Sequence, residues 1–240
     1  MTYRVAIILF SVVLFLLLAG VLIFLEPEWV VAQLRKRSPS VLYAIDTHRS
    51  VVALTIDDGP DSVETPKILD ILEEQNAHAT FFLISSRIPG NEAIVQRMLD
   101  EGHEIANHMV YDRPSIRLAT DEFERQFLEA DRVLSEYGQP RWFRPGSGWY
   151  NDGMLEIVEQ HGYQCALGSV YPFDPQIGLS WFIKKYVLWK VQPGAIIVLH
   201  DYGDRGERTA EALKTILPEL RDHGYQVVTL SDLVDQKDGK

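Results

Sequence analysis

Two adjacent carboxylates close an apolar segment in the first third of the chain. Residues 51–54 are apolar, Asp57 and Asp58 follow shortly after, and Gly59 and Pro60 come directly behind them. Two neighbouring acids that leave a buried strand repel each other and resist the loss of water, so they require a cation, a proton or a strong hydrogen-bond donor. A metal ligand beside a general base meets that requirement. The alternative is a surface turn, because Asp, Gly and Pro all favour turns.

A histidine and a further carboxylate stand four residues apart within the segment 102–112. If this segment is helical, His108 and Asp112 lie on the same face. With one of the two earlier aspartates they would form a set of one histidine and two carboxylates, which leaves coordination positions for water and substrate, as a hydrolytic metal requires. The alternative for these residues taken singly is that His108 caps a turn and Asp112 pairs with Arg113 or Arg117.

Composition and charge restrict the class of ligand. The chain has 240 residues, of which 46% are hydrophobic, and a formal net charge of -11. This length accommodates one domain and an accessory segment. The negative charge argues against nucleic acid or another anionic polymer as the main ligand and favours a neutral substrate. The single cysteine, Cys165, cannot form an intrachain disulfide, so cysteine usage does not indicate the compartment.

The N-terminal region contains an apolar stretch, residues 5–25, without a charged residue. Its length matches a bilayer-spanning helix, whereas a cleaved signal peptide has a shorter apolar region that ends in an Ala-x-Ala-like site. We therefore predict a tail at 1–4, a retained membrane anchor at 5–25, a linker at 26–49 and a globular domain at 50–240.

Beyond residue 50, short apolar segments alternate with amphipathic ones. This pattern predicts an α/β fold, a distorted (β/α) barrel of about seven strands. The predicted strands are 51–56, 79–84, 104–107, 141–144, 164–167, 195–200 and 226–229. The predicted helices are 29–37, one that starts at Thr65, 92–101, 120–137, 152–161, 180–189 and 209–222.

The polar residues follow the ends of these strands. In a parallel α/β barrel the active site lies at the carboxyl ends of the strands. Asp57 and Asp58 end the first predicted strand, His108 follows the third, Arg144 ends the fourth and His200 ends the sixth. The pattern thus predicts one shared site, although His200 taken alone is equally consistent with a histidine whose hydrogen bonds are satisfied in the core.

These segments carry a resemblance to a known family. Residues 55–60, 102–112, 144–147 and 199–200 are similar, in order, to four sequence motifs of the polysaccharide deacetylases of the NodB-homology type. The resemblance covers roughly residues 50–232. It implies a distorted (β/α) barrel and the metal-dependent removal of acetyl groups from N-acetylated sugars.

The resemblance also implies roles for individual residues. By position, Asp57 is the general base and Arg144 holds it, while His200 is the general acid. Asp58 and His108 are metal ligands. One divalent metal ion is expected, zinc in the first place, with manganese, cobalt or magnesium as alternatives. The backbone N–H of Ser147 stabilises charge on the acetyl oxygen, and Leu199 borders the acetyl pocket.

The chain departs from the family pattern in three places. Asp112 stands where the family commonly has a second histidine, and we predict that it is the third metal ligand, with a preference shifted toward harder cations. Ser147 replaces an aromatic residue, whose packing on the sugar Trp149 or Tyr150 could supply. The fourth motif is hard to recognise, and within it Asp174 is the candidate that orients His200.

Three functions remain open at this point. The first is a membrane-anchored deacetylase of a cell-surface glycan, the second a catalytically inactive carbohydrate-binding relic, and the third an amidohydrolase of the same fold that acts on a small non-sugar amide. For the first, we expect an extracytoplasmic domain, because the substrate lies outside. The basic residues Arg35, Lys36 and Arg37 point the other way by the positive-inside bias.

Overall fold

The computed structural model describes residues 2–25 and 28–237 of the chain. It divides into two compact units, Met1–Pro39 and Ser40–Lys240. Residues 40–49, predicted as part of the linker, belong to the second unit, where two of them form a strand. Residues 26 and 27 of that linker and residues 238–240 of the predicted domain lie outside the described residues.

The described residues of the first unit form two helices, α1 (Thr2–Leu25) and α2 (Glu28–Arg37). The second agrees with the helix predicted at 29–37. Among the residues that the structure describes, no helix combines the length and the apolar character needed to cross a membrane. The side chains of residues 17, 19 and 21–25, which belong to the anchor predicted at 5–25, lie outside that described set.

The second unit is an α/β structure in which strands and helices alternate. The strands in its described part are β1 (Val41–Leu42), β2 (Val51–Asp57), β3 (Ala79–Leu83), β4 (Glu104–Asn107), β5 (Trp142–Phe143), β6 (Gln164–Ala166), β7 (Ile196–His200) and β8 (Gln226–Val228). The helices are α3 (Glu64–Glu74), α4 (Glu92–Asp100), α5 (Thr120–Leu134), α6 (Asp152–Gln160), α7 (Ser180–Lys190), α8 (Asp204–Asp222) and α9 (Leu230–Asp235).

The sheet is parallel, with the strand order β1-β6-β5-β4-β3-β2-β7. Strand β8 pairs in parallel with the first three residues of β2. Between the ends of this order, isolated bridges join Ala44 to Ala195 and Val170 to Ile197. The result is a curled, incompletely closed parallel sheet, as the prediction of a distorted (β/α) barrel requires.

Burial explains why the local sequences form these elements. Every residue of β2 is buried, which is typical of a parallel strand covered on both faces. On α5 the residues at helical spacing, Phe123, Phe127, Ala130 and Leu134, are buried together, as their periodicity predicts. The packed strands and helices form a rigid frame that fixes the ends of the strands.

The strand predicted at 104–107 is confirmed, so the condition that residues 102–112 form a helix is not met. Strand β4 ends at Asn107, and the side-chain Oδ1 of Asn107 accepts a hydrogen bond from the backbone N–H of Met109 at 2.8 Å. Met109 has a left-handed backbone with φ of 73°. An asparagine side chain that bonds to the nearby backbone competes with helix formation, so the chain turns sharply after the strand.

Candidate active site

Backbone hydrogen bonds place four of the predicted residues at neighbouring strand ends. Asp57, the last residue of β2, lies opposite His200, the last residue of β7. The N–H of His108 donates to the carbonyl of Leu83 at 3.0 Å, and the N–H of Arg144 donates to the carbonyl of Asn107 at 3.1 Å. These bonds continue the sheet ladders by one residue, so the four residues lie along one rim of the sheet.

A backbone turn directs both early carboxylates toward the same histidine. Side chains of consecutive residues on a strand point to opposite faces. Asp58, however, has a left-handed backbone with φ of 79°, which ends the alternation. As a result the Nε2 atom of His108 lies 4.0 Å from Oδ2 of Asp57 and 3.5 Å from Oδ1 of Asp58. Gly59 follows, and a Cβ atom at this position would lie 2.4 Å from Oδ2 of Asp201, so a larger residue would displace that buried carboxylate.

Arg144 holds Asp57 from within the barrel. Its Nη1 donates to Oδ1 of Asp57 at 2.5 Å and to Oγ1 of Thr55 at 2.8 Å, and its Nε donates to the carbonyl of Ala166 at 2.9 Å. Burial lowers the pKa of Arg144 and outweighs the raising effect of Asp57. A guanidinium nevertheless stays charged in proteins. Asp57 is therefore held as the partner of a fixed cation.

His200 forms the second polar pair of the rim. Its Nδ1 lies 2.8 Å from Oδ2 of Asp174, which is fully buried. Burial alone would lower the pKa of His200, but the charge and hydrogen bond of Asp174, together with Asp57 and Asp58, raise the pKa to about 9. The imidazole therefore carries a proton at neutral pH. Asp174 orients this ring from the interior.

The arrangement around His108 fits a divalent cation in part. Its Nδ1 lies 2.7 Å from the carbonyl oxygen of Arg144, and a carbonyl can only accept, so Nδ1 carries a hydrogen. A metal-binding histidine usually has its second nitrogen fixed in this way.

Burial works to lower the pKa of His108 and to raise that of Asp58. The interaction between the two outweighs it, so the pKa of His108 is raised and that of Asp58 is lowered.

Asp112 does not join Asp58 and His108 as a third ligand in this arrangement. Its side chain is 37% exposed, and its Oδ2 lies 3.4 Å from a guanidinium nitrogen of Arg87 and 3.4 Å from one of Arg205. In the described part of the chain, no group of three or more histidine, cysteine, aspartate or glutamate side chains is placed to hold a metal. Asp58 and His108 fit the cation, whereas Asp112 pairs with two arginines.

The predicted substrate-binding residues take varied positions. Ser147 has a left-handed backbone with φ of 66° within the short helical turn Gly146–Gly148. Leu199 is fully buried, and Trp149 is 70% exposed. The hydroxyl of Tyr150 lies 2.7 Å from that of Tyr43. Asp174, buried behind His200, is shielded from a ligand at the rim.

Two arginines that complete the site were not predicted. Nη1 of Arg205 donates to Oδ2 of Asp58 at 2.6 Å. Nη1 of Arg87 donates to the carbonyl of Asp58, and its guanidinium lies 3.5 Å from the ring centre of Tyr202. Both arginines are far from their partners in sequence, so no local spacing indicates the contacts.

Asp201, the residue after His200 in the sequence, also lies beside the site. It is fully buried, its Oδ2 accepts a hydrogen bond from Oγ1 of Thr65 at 2.6 Å, and burial raises its pKa to about 7. Asp201 therefore supports the turn around Gly59 from below the rim.

The rim of this parallel α/β barrel carries two buried polar pairs, Asp57 with Arg144 and His200 with Asp174. The family model described as polysaccharide deacetylase matches residues 44–166. The chain belongs to this family. It is a hydrolase that acts on carbon–nitrogen bonds other than peptide bonds.

Individual relatives agree with this family. The chain is 34% identical over 204 residues to a peptidoglycan-N-acetylglucosamine deacetylase of Bacillus cereus, which covers 82% of this chain and 94% of the relative. It is 27% identical to a CE4 family pseudoenzyme from Bacillus anthracis, with a TM-score of 0.76 and coverage of 84% and 71%. It is 32% identical to a family 4 acetyl xylan esterase from Clostridium thermocellum in complex with a cobalt ion, with a TM-score of 0.71 and coverage of 77% and 90%.

Proposed function

We propose that this protein removes acetyl groups from the N-acetylated sugars of a cell-surface polysaccharide. The observation that carries the proposal is the placement of Asp57 and His200 opposite each other on β2 and β7, beside the pair Asp58 and His108. Hydrolysis of an acetamide needs a base for the attacking water and an acid for the departing amine. The two strand ends supply one of each.

Asp57 is the general base in this proposal. Arg144 fixes one carboxylate oxygen of Asp57, and the other oxygen lies toward His108. A fixed carboxylate loses no freedom when it accepts a proton from a water that attacks the acetyl carbon. Arg144 keeps its charge throughout, so Asp57 has the same fixed partner before and after it accepts the proton.

His200 is the general acid. An amine leaves poorly as an anion, so it must receive a proton as the carbon–nitrogen bond breaks. With its pKa raised to about 9, His200 carries that proton at neutral pH. Asp174 accepts the hydrogen bond from Nδ1, which directs the Nε2 proton away from the interior.

Asp58 and His108 would hold one divalent metal ion, with Asp112 as the third protein ligand. When bound, such an ion polarises the acetyl carbonyl and makes an attacking water more acidic. The cobalt complex of the acetyl xylan esterase supports the general metal dependence of the family. For this chain we propose zinc in the first place, with manganese, cobalt or magnesium as alternatives. The backbone N–H of Ser147 would stabilise charge on the acetyl oxygen, with Leu199 bordering the acetyl group.

We further propose that a sugar ring packs near Trp149 and Tyr150. Trp149 is largely exposed, and the apolar face of a pyranose packs well on an aromatic plane. The net charge of -11 favours a neutral glycan over an anionic polymer, and no nucleic acid partner is expected.

Residues 5–25 are proposed as a single membrane anchor with the catalytic domain on the extracytoplasmic side. The support is the length of the uncharged apolar stretch in the sequence and the location of a surface glycan. The basic residues 35–37 oppose this orientation, but long folded domains are translocated largely regardless of such charges.

A substrate panel tests the proposed activity. The protein, stripped of metal and reloaded with zinc, manganese, cobalt or magnesium, is assayed for acetate release from N-acetylglucosamine oligomers, an O-acetylated xylan and acetanilide. We expect metal-dependent release from the oligomers above all. Preference for acetanilide would support the amidohydrolase alternative, and release from none of the three with any metal would support an inactive relic.

A further inference from the structure

Arg205 occupies an unexpected position between two proposed metal ligands. It lies in the first turn of α8, and its Nη1 donates to Oδ2 of Asp58 at 2.6 Å, while its Nη2 lies 3.4 Å from Oδ2 of Asp112. A single planar guanidinium therefore bridges a carboxylate at the end of β2 to one in the loop after β4. Arg205 thus binds the same Asp58 carboxylate whose other oxygen, Oδ1, lies 3.5 Å from Nε2 of His108.

Asp58 requires such a partner when no metal is bound. Its side chain is only 3% exposed, and a buried carboxylate without a cation is strongly destabilising. Arg144 is engaged with Asp57, so among the described residues Arg205 is the arginine that pairs with the Asp58 side chain, beside the His108 ring. Asp112 contacts the other end of the Arg205 guanidinium, and the same Oδ2 atom also lies 3.4 Å from Arg87.

The Arg205 side chain is able to leave this position. It is 28% exposed and belongs to the first turn of a helix, so a change of rotamer moves its guanidinium into solvent without moving α8. A divalent cation between the same carboxylates would repel a guanidinium at contact distance. Arg205 and a metal therefore exclude each other from the space between Asp58 and Asp112.

We propose that Arg205 is a built-in competitor of the metal: it bridges Asp58 and Asp112 in the metal-free protein and swings out when a divalent cation binds. The inference rests on the metal dependence proposed above. It assigns Arg205 a regulatory role in metal loading, and it accounts for Asp112 pairing with arginine while also serving as the third ligand.

Metal binding to the full-length protein tests the proposal. Isothermal titration of chelator-treated wild type, Arg205→Ala and Asp112→Ala with zinc and with manganese gives the affinities without any substrate. We expect Arg205→Ala to bind metal on the order of tenfold more tightly, the contribution of one charge-assisted hydrogen bond. Asp112→Ala should bind more weakly. Binding of Arg205→Ala that is unchanged or weaker than wild type overturns the proposal.

A matched variant separates direct competition from the general effect of charge. Arg208→Ala removes the same charge from the next turn of α8, where Nη2 of Arg208 lies 3.5 Å from the backbone carbonyl of Asp174. We expect at most a twofold change in metal affinity for this variant. If Arg208→Ala and Arg205→Ala gain metal affinity equally, the change in net charge explains the gain, and the proposal fails.

Thermal unfolding supplies a second readout that detects a folding defect. Metal-free Arg205→Ala should unfold at a lower temperature than metal-free wild type, because Asp58 loses its partner. Added metal should raise the unfolding temperature of Arg205→Ala by more than it raises that of wild type. If added metal raises the unfolding temperature equally in the two proteins, the proposal that the metal displaces Arg205 is contradicted. Neither readout needs turnover. If the protein binds metal tightly but releases no acetate, the proposed function is rejected, whereas the inference about Arg205 still stands.

Discussion

The Nδ1 atom of His200 lies 2.8 Å from Oδ2 of Asp174, and the Asp174 side chain has no exposure to solvent. The pair joins β7 to the loop after β6. Burial alone would lower the pKa of His200, and Asp174, Asp57 and Asp58 raise it to about 9. The pair therefore stabilises the fold fully below about pH 6.5, the ordinary pKa of histidine, and this contribution is lost as the pH rises through about 9.

Asp174→Asn should shift the alkaline limb of activity. In wild type, kcat/KM for acetate release should fall as the pH rises through the pKa of His200, because the general acid loses its proton. Without the carboxylate, that limb should move at least about one unit toward lower pH. The control is Asp222→Asn at the exposed end of α8. An alkaline limb at the same pH in Asp174→Asn and wild type would mean that Asp174 does not govern the acid.

Arg144→Lys should reduce kcat while preserving the fold. A lysine keeps the charge beside Asp57 but cannot make the separate hydrogen bonds to Thr55 and the Ala166 carbonyl that fix the guanidinium. We expect a loss of about ten- to a hundredfold in kcat, since a poorly placed base transfers protons less well. Arg141→Lys, on the exposed surface nearby, is the control and should retain activity.

The more drastic Arg144→Met should destabilise the protein, because it leaves Asp57 buried without its cation. Breaking such a pair costs about 3–5 kcal/mol. Unfolding in urea measures the loss. Wild-type stability together with wild-type kcat in Arg144→Met would show that Asp57 does not depend on this arginine.

His103, remote from the rim, should make the protein sensitive to acid. It is buried between α4 and β4, and the N–H of Ala79 donates to its Nδ1 at 3.2 Å. Burial, with smaller effects of His78 and Arg97, lowers the pKa of His103 to about 4. The unfolded chain takes up this proton below about pH 6.5, so stability should fall as the pH drops from 6.5 to 4, by on the order of 3 kcal/mol.

Urea unfolding at pH 7 and pH 4.5 checks the acid sensitivity. His103→Gln should show a smaller loss of unfolding free energy between the two pH values than wild type does. His161→Gln, which alters a partly exposed histidine bonded to Glu124, should keep the wild-type loss. An equal loss in His103→Gln and wild type would exclude His103 as the source.

The proposed topology predicts which parts of the protein a protease reaches. With residues 5–25 in the membrane and the catalytic domain outside, protease added to intact spheroplasts should digest the domain, while a tag before residue 5 stays protected. Protection of the domain until the membrane is lysed would place it in the cytoplasm. Recovery of the chain in the aqueous fraction without detergent would contradict the anchor itself.

Seven of the described strands were predicted from the sequence, whereas strand β1 and helix α9 were not. The seven predicted strands all have counterparts, since apolar runs flanked by helices leave few alternatives for a parallel sheet. The strand Val41–Leu42 is too short to show periodicity, and it forms because it pairs with β6. The helix α9 has only six residues, and its Leu230 and Leu233 are buried.

In the candidate site, too, some residues could be predicted from the sequence and others could not. The residues at strand ends, such as Asp57 and His200, could be predicted because a parallel sheet brings its carboxyl ends to one rim. The four-residue spacing of His108 and Asp112 does not place them on one helix face, because the side chain of Asn107 turns the chain directly after β4. The bridge made by Arg205 depends on a contact across 147 residues, which spacing cannot indicate.

The central claim is that Asp57 and His200 transfer protons, and acetate release from N-acetylglucosamine oligomers by Asp57→Asn and His200→Ala tests it most directly. Metal content is measured on the same samples, with Asp70→Asn on the surface of α3 as the control. We predict metal content near that of wild type in both variants and rates lower by about a hundred- to ten-thousandfold. Near-wild-type rates in either variant, or loss of the metal from either one, would contradict this division of roles.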